Sequence, residues 1–234
     1  MQDFDFKSIF SYYPEILPFL GTTFLTVIFS VIFGTILGFF VAVAKLSPNK
    51  IWRLIAERYT NILRCTPAVV LLFLVYYGVP ELFQAAFGMN INDIYKGIFV
   101  IITLSLLFSA NMSEVMRSAY ESIDKGQLEA GVSVGMTATQ TFIRILLPQC
   151  FFIALPNIGN ALIALFQEGA LAFTIGFIDI MGKANLIVAL NYGGNTKEIY
   201  IGLALIYWAI SILIEKSMSI FERKYKAKIL SKTV

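Results

Sequence analysis

Residues 126–135 read Gly-Gln-Leu-Glu-Ala-Gly-Val-Ser-Val-Gly, and the same polar region runs on to Leu147, Pro148 and Gln149. This stretch is rich in helix-capping residues and interrupts a chain that is 58% hydrophobic and only 14% charged. A soluble domain carries roughly a quarter charged residues. The stretch therefore predicts a water-exposed loop that lies between membrane-embedded segments and can meet a protein partner.

The apolar runs on both sides of this loop indicate the fold class. A membrane-spanning helix needs about 20 apolar residues, and five stretches of the chain qualify: 19–46, 67–87, 97–116, 143–166 and 199–220. A sixth stretch, 170–190, is interrupted by glycines and charged residues and indicates a short or re-entrant segment. We expect an all-α membrane protein with about five transmembrane helices, and six spans is the alternative count.

Lysine and arginine concentrate on one side of the predicted spans. They follow the first span, flank the loop and fill the tail, at Lys45, Lys50, Arg53, Arg58, Arg64, Arg117, Lys125, Arg144, Arg223, Lys224, Lys226, Lys228 and Lys232. Because such residues favour the cytoplasmic side, we expect the N-terminus outside and both the loop and the C-terminus inside. The predicted regions are an extracytoplasmic or interfacial lead-in (1–18), a transmembrane domain (19–222, with the loop at about 121–149) and a basic cytoplasmic tail (223–234).

Capping signals predict two short helices within the loop. Asp124 and Gln127 have the spacing of a capping box, and Thr137 and Gln140 repeat it. Gly135 suits the left-handed residue that ends a helix. Two short helices at an angle would offer another protein an exposed helix to bind in a groove.

The loop resembles the "EAA" loop of ABC-importer permeases, whose pattern is Gly-Gln-x-Glu-Ala-Ala, a Gly six residues after the Glu, a Phe, and Leu-Pro-Gln. The matching residues are Gly126, Gln127, Glu129, Ala130, Gly135, Phe142, Leu147, Pro148 and Gln149. Gly131 departs from the pattern, which usually has alanine there. We expect this glycine to weaken the helix by about 1 kcal/mol.

Other segments are similar to the polar amino-acid branch of that family, so that the resemblance covers roughly residues 22–223. They are Tyr59, Arg64, Thr66 and Pro67, then Ala110, Glu114 and Arg117, and finally Pro156 and Asn160. The resemblance implies a type I ABC importer in the bacterial cytoplasmic (inner) membrane, with two permease subunits, two ABC ATPases and an extracytoplasmic solute-binding protein. It implies that the ATPase-coupling residues are Gly126, Gln127, Glu129, Ala130, Gly135 and Pro148. Residues 172–182 look like the cystine-type branch, which makes L-cystine the best candidate among polar amino acids.

Polar side chains inside the predicted spans are candidates for a substrate path, because they are costly in lipid. The candidates are Glu114, Arg117, Asn157, Asn160, Gln167 and Glu168. Glu114 and Arg117 share a helix face, so a structural ion pair is the alternative there. Glu168 is either a path residue or a structural cap.

Several kinds of function find no support in the sequence. The chain has no histidine, no phosphate-binding Gly-x-x-x-x-Gly-Lys-Ser/Thr motif and no nucleophile–base set. We therefore expect no catalytic residues, no metal and no cofactor, with ATP hydrolysis on a separate subunit, and a net charge of +3 is too small to indicate nucleic acid. The alternative function is a stand-alone secondary carrier or channel, which would predict a carboxylate relay or internal repeats. A membrane enzyme and an assembly scaffold are weaker alternatives.

The remaining sequence signals concern packing. Gly34 and Gly38 form a Gly-x-x-x-Gly pair, which permits close helix approach either within the chain or between two subunits. Cys65 and Cys150 lie far apart in sequence and are expected to remain free thiols rather than to form a disulfide.

Overall fold

A computed structural model describes residues 6–230, apart from the side chains of residue 7 and of residues 225–230. The prediction made on Lys232 lies outside the described residues, as do residues 1–5 of the predicted lead-in and residues 231–234 of the predicted tail. Within them the fold is helical: α1 (Phe6–Ser11), α2 (Tyr13–Ile16), α3 (Leu20–Lys45), α4 (Lys50–Cys65), α5 (Ala68–Phe87), α6 (Lys96–Glu121), α7 (Gly126–Ser133), α8 (Ala138–Thr141), α9 (Leu147–Gly169), α10 (Ile180–Leu190) and α11 (Thr196–Leu230).

Five helical runs of the described chain are long and apolar enough to cross a membrane, which confirms five spans. They are Ser8–Lys45, Ala68–Phe87, Lys96–Glu121, Ala138–Ile175 and Thr196–Lys224. The interrupted segment forms a 3-10 turn, Ala170–Ile175, followed by α10, whose 11 residues are too few to span. Helix α11 extends ten residues beyond the predicted end of the fifth span, to Leu230.

Helices α3 and α6 share the most extensive contact among the described helices. The buried face of α3 carries small residues, including Ser30, Gly34, Gly38 and Ala42. A Cβ atom at Gly34 would lie 2.9 Å from the Ser105 carbonyl oxygen, and one at Gly38 would lie 2.9 Å from that of Ser109. The Gly-x-x-x-Gly pair therefore serves packing within the chain, because only glycine permits this backbone approach.

Helix α4, which the sequence predictions do not include, packs lengthwise along α6. In those predictions its residues are basic charges after the first span and, at Tyr59 and Arg64, part of the family resemblance. The Asn49 side chain caps its start by accepting a hydrogen bond from the Ile51 N–H at 2.9 Å. The Tyr59 and Ser109 hydroxyl oxygens lie 2.6 Å apart, which fixes α4 against the middle of α6. Pro67 follows the extended residue Thr66, so α4 ends there and α5 begins.

The lead-in packs against α10 and α11. The Tyr13 hydroxyl donates to the Gly202 carbonyl at 3.0 Å, and the Asn195 amide donates to the Tyr12 hydroxyl at 2.8 Å. Lys183 pairs with Glu15 at 3.3 Å. Residues 6–19 therefore form a helical layer that leads directly into α3, at the end of the bundle opposite α7.

Candidate functional site

Helix α7 begins by a different bond from the predicted one. Asp124 Oδ1 accepts a hydrogen bond from the Gly126 N–H at 2.7 Å, but the Gln127 side chain does not complete a capping box. The second capping box is confirmed, because Thr137 and Gln140 each accept a hydrogen bond from the other's backbone N–H, at 3.2 and 3.0 Å. Gly135 has φ of +88°, the predicted left-handed conformation that ends α7.

Gln127 lacks its capping bond because it pairs with a residue 22 positions later. Gln149 Nε2 donates to Gln127 Oε1 at 2.6 Å and also to the Ile145 carbonyl at 2.8 Å. The two amides form a clasp that fastens α7 to the first turn of α9. The clasp uses two motif residues, one from each end of the loop.

A second contact, between Gly131 and Thr141, holds the buried side of α7 in place. Gly131 is buried against Thr141, and an added methyl group would overlap Thr141 Cγ2 and lie 2.6 Å from Oγ1. The Thr141 hydroxyl donates to the Thr137 carbonyl at 3.1 Å, which fixes its position. The expectation that Gly131 weakens the helix is therefore incomplete, because glycine is also the residue that lets the two segments touch.

The second predicted short helix is not separate. Helix α8 continues through a π-helical turn, Phe142–Leu146, directly into α9, where Pro148 is the second residue. A proline inside a continuous helix removes one i→i−4 hydrogen bond. The π-helical turn directly before Pro148 is the place where this helix already departs from that bonding pattern. Only α7 stands apart, and α8 is the beginning of the fourth span.

The free face of α7 mixes charge and apolar surface. Glu129, Ala130 and Ser133 are exposed, as are Val132 and Val134, with relative accessibilities of 50% and 78%. Exposed valines beside a carboxylate, on a helix held rigidly from behind, are suited to insertion into a partner's groove.

Glu114 and Arg117 belong to an ion network that joins α3 to α6. Glu114 accepts from Lys45 at 2.7 Å through one oxygen and from Arg117 at 2.8 Å through the other. Arg117 also contacts Glu121 at 2.5 Å, and the buried Lys45 ammonium donates to the Ser113 hydroxyl at 3.0 Å. Both carboxylate oxygens of Glu114 are thus occupied, which favours the structural ion pair over a substrate role.

Glu168 faces a polar cavity of about 170 Å³ at the break between α4 and α5. The cavity is lined by Leu63, Arg64, Thr66, Ala68, Leu107, Asn111 and Glu168. Arg64 and Glu168 carry opposite charges but form no ion pair with each other within the described residues. Residues 107 and 111 lie near the middle of α6, so the cavity lies about halfway along this span.

The other candidates do not meet at this cavity. Asn157, Asn160 and Gln167 are exposed along one side of α9, and Asn160 lies eight residues from Glu168, about 12 Å along the helix axis. Exposed amides inside a span are unfavourable in lipid. This side of α9 is therefore expected to face a polar path or a second subunit.

Two residues of the cavity, Arg64 and Asn111, were not among the predicted path residues. Arg64 continues an exposed polar row on α4, after Arg53, Glu57 and Asn61. The signal was available in the sequence, because residues 50–65 are strongly amphipathic and precede a Thr-Pro break. Asn111 gives no such signal, since a single amide in an apolar span is also compatible with packing.

The chain is similar to known transport proteins over nearly its whole length. Residues 34–227 match the family model described as binding-protein-dependent transport system inner membrane component. The L-cystine transport system permease protein TcyL of Bacillus subtilis (strain 168) is 32% identical, over 95% of this chain and 92% of its own. The arginine transport system permease protein ArtQ of the same organism is 35% identical, over 95% and 98%. A crystal structure of an amino acid ABC transporter with histidines superposes with a TM-score of 0.81 at 32% identity, covering 95% of this chain and 100% of that one.

Proposed function

The chain belongs to the family of binding-protein-dependent transport system inner membrane components, and from that membership we propose how its two polar regions share the work of import. It is a multi-pass permease subunit of an amino-acid ABC importer of the bacterial inner membrane. Such permeases work in pairs beside a separate ATPase subunit. We propose that the loop binds the ATPase and that the cavity at Arg64 and Glu168 holds the substrate. A stand-alone carrier or channel is not favoured.

We propose that α7 is the part of this chain that binds the ATPase. Two observations support this. Glu129, Val132 and Val134 are exposed, and the opposite side of α7 is fixed by the Gln127–Gln149 clasp and by the contact of Gly131 with Thr141. The negative charge of Glu129 is favourable in the first turn of a helix. A motion imposed on α7 would pass through the clasp into α9, which carries Glu168 at its other end.

The orientation proposed is the one that the basic residues favour, with α7 in the cytoplasm and the N-terminus outside. In a chain whose native Cys65 and Cys150 are replaced by serine, cysteines at the exposed positions Asn90 and Ser133 should react with an impermeant maleimide from opposite sides. Asn90→Cys is expected to label in intact cells, and Ser133→Cys only after permeabilisation. Reversed labelling would refute the orientation and the ATPase contact together.

The cavity carries the substrate proposal. An α-amino acid presents one carboxylate and one ammonium group, and the lining offers one guanidinium, at Arg64, and one carboxylate, at Glu168. Charge-assisted hydrogen bonds to both groups would hold the zwitterion across the cavity, with the Asn111 amide beside it. The exposed rows of α4 and α9 would line the polar path that leads to it.

We propose a substrate with neutral net charge, L-cystine being the best candidate. A cationic side chain such as arginine's would need a second carboxylate, and the described lining has only Glu168. Cystine has two amino-acid heads, and a pair of permeases provides two such cavities. The similarity to TcyL agrees with this substrate. Because the chain is also similar to ArtQ, arginine is tested beside cystine in the experiment below. A solute-binding protein is the proposed outer partner that delivers the substrate.

The experiment is uptake into vesicles that contain the permease pair and its ATPase, with and without ATP and the solute-binding protein. Cystine and arginine are tested in parallel, and uptake should require both additions.

Glu129→Lys reverses the charge on the free face of α7. It is therefore expected to abolish ATP-driven uptake and to weaken ATPase binding. Glu81→Lys, on the exposed surface of α5, is the control, and it should change neither. Normal uptake and normal ATPase binding in the Glu129→Lys protein would reject the docking role.

A further inference from the structure

An apolar groove of about 390 Å³ opens between α3, α6 and the first turns of α9, away from the polar cavity. Its lining includes Phe39, Met112, Met116, Cys150, Ala154 and Ile158. Phe39 and Phe151 at its rim are exposed, with relative accessibilities of 47% and 53%, so the groove opens sideways on the protein surface.

The polar sides of two helices point away from this groove. On a helix, residues two positions apart point in roughly opposite directions. Glu114 stands two positions from both Met112 and Met116, and Asn160 stands two positions from both Ile158 and Leu162, which also line the groove. Because the exposed amides of α9 are expected to face the path or the second subunit, the groove side of α9 faces the hydrocarbon of the bilayer. On α6 the polar side is occupied by the Glu114 ion network, which also leaves the methionine side to the groove.

The size and chemistry of the groove select its occupant. Water would find few polar partners on this lining, and an empty groove would forfeit dispersion contacts along its length. An α-helix is about 10 Å across with its side chains and is too wide for this volume. A flexible hydrocarbon chain is narrow enough, and Met112 and Met116 can adapt their shape to it.

We propose that the groove binds one acyl chain of a membrane phospholipid. The exposed rim residues Phe39 and Phe151 belong to the first and fourth spans, so the chain would enter between them from the surrounding lipid. Phe142 and Tyr120 close the end nearest α7, with ring centroids 6.1 Å apart. A bound chain therefore fills the space between α3 and α9 directly beneath α8 and its π-helical turn.

The test uses tryptophan fluorescence in the complete complex. The first protein carries Trp52→Phe, so that Trp208, which is 65% exposed on α11, is its remaining tryptophan and the bulk-lipid reference. A second protein has Trp52 and Trp208 replaced by phenylalanine and carries Phe142→Trp. A third has the same two replacements and carries Phe151→Trp, in case Phe142→Trp prevents assembly. Each complex is reconstituted in phosphatidylcholine with dibrominated acyl chains, which quench tryptophan on contact, and is then extracted and washed in mild detergent.

Emission from the groove tryptophan is expected to stay quenched after washing, while emission from Trp208 recovers. Adding Ala154→Phe fills the groove and should abolish the retained quenching, whereas Ala209→Phe, an exposed alanine on α11, should leave it unchanged. Recovery of the groove tryptophan together with Trp208 would overturn the proposal. So would an absence of quenching before washing, because it would indicate that a second copy of the chain covers the groove.

Discussion

Replacing Glu168 by glutamine is expected to raise the substrate concentration that half-activates transport by about ten- to a hundred-fold, because a hydrogen bond to a charged group contributes roughly 1.5–3 kcal/mol. The change keeps the size of the side chain and removes its charge from the cavity that it shares with Arg64. The measurement is the concentration dependence of substrate-stimulated ATP hydrolysis in the reconstituted complex. Assembly with the ATPase should not change.

Arg64 provides the matched half of this experiment. Arg64→Gln should produce a shift of similar size for an amino acid, but almost none for an amino-acid amide, which lacks the α-carboxylate. If Glu168 only caps the end of α9, Glu168→Gln will lower the folded yield and leave the concentration dependence of the surviving complex unchanged. That outcome would reject its substrate role.

Replacing Glu114 by leucine should destabilise the protein by about 3 kcal/mol, the lower end of the range for breaking a buried ion pair. Lys45, whose side chain is only 1% exposed, would lose its carboxylate partner, while the 26% exposure of Glu114 moderates the loss. A change of this size lowers the unfolding temperature by roughly 6–12 °C in a chain of this length. Thermal unfolding of the purified complex in detergent measures it.

Two further variants test whether the loss of stability in Glu114→Leu comes from breaking a buried ion pair. Combining Glu114→Leu with Lys45→Met removes the unpaired charge and should restore most of the lost stability. Glu57→Gln breaks an exposed pair with Arg53 at 3.9 Å, which should change stability by less than about 1 kcal/mol. Unchanged stability with altered substrate dependence in Glu114→Leu would return Glu114 to the substrate path.

The parts of the fold that depend on local signals were predictable. Apolar runs locate the five spans because lipid demands length and hydrophobicity of each segment separately. The capping pair Thr137 and Gln140 and the left-handed Gly135 are also local, and both are confirmed. The hydropathy pattern did not predict the end of α11. An apolar run shows how much of a helix can lie in lipid, and α11 continues beyond the end of its apolar run.

The parts that depend on distant partners were not predictable. Gln127 has a suitable capping position, but Gln149 provides a competing amide that no local rule detects. Arg64 and Glu168 are brought together by the packing of α4 and α9 around α6, and their separation in sequence conceals it. Arg64 was predicted as a cytoplasmic charge and as part of the family resemblance, but not as a path residue, because a charged residue argues against a place inside a span unless an aqueous path is assumed.

The contact between Gly131 and Thr141 limits how the loop can be exchanged between relatives. A loop with alanine at position 131, as the family pattern has it, brings a methyl group into the space of Thr141. A chimaera that takes such a loop only up to Gly135 would place this alanine against Thr141. A chimaera that takes the segment through to Gln149 would also bring its relative's own residue at position 141 and both residues of the amide clasp. The interchangeable unit of this permease is therefore the whole segment 126–149, and recombination inside it separates residues that have to be inherited together.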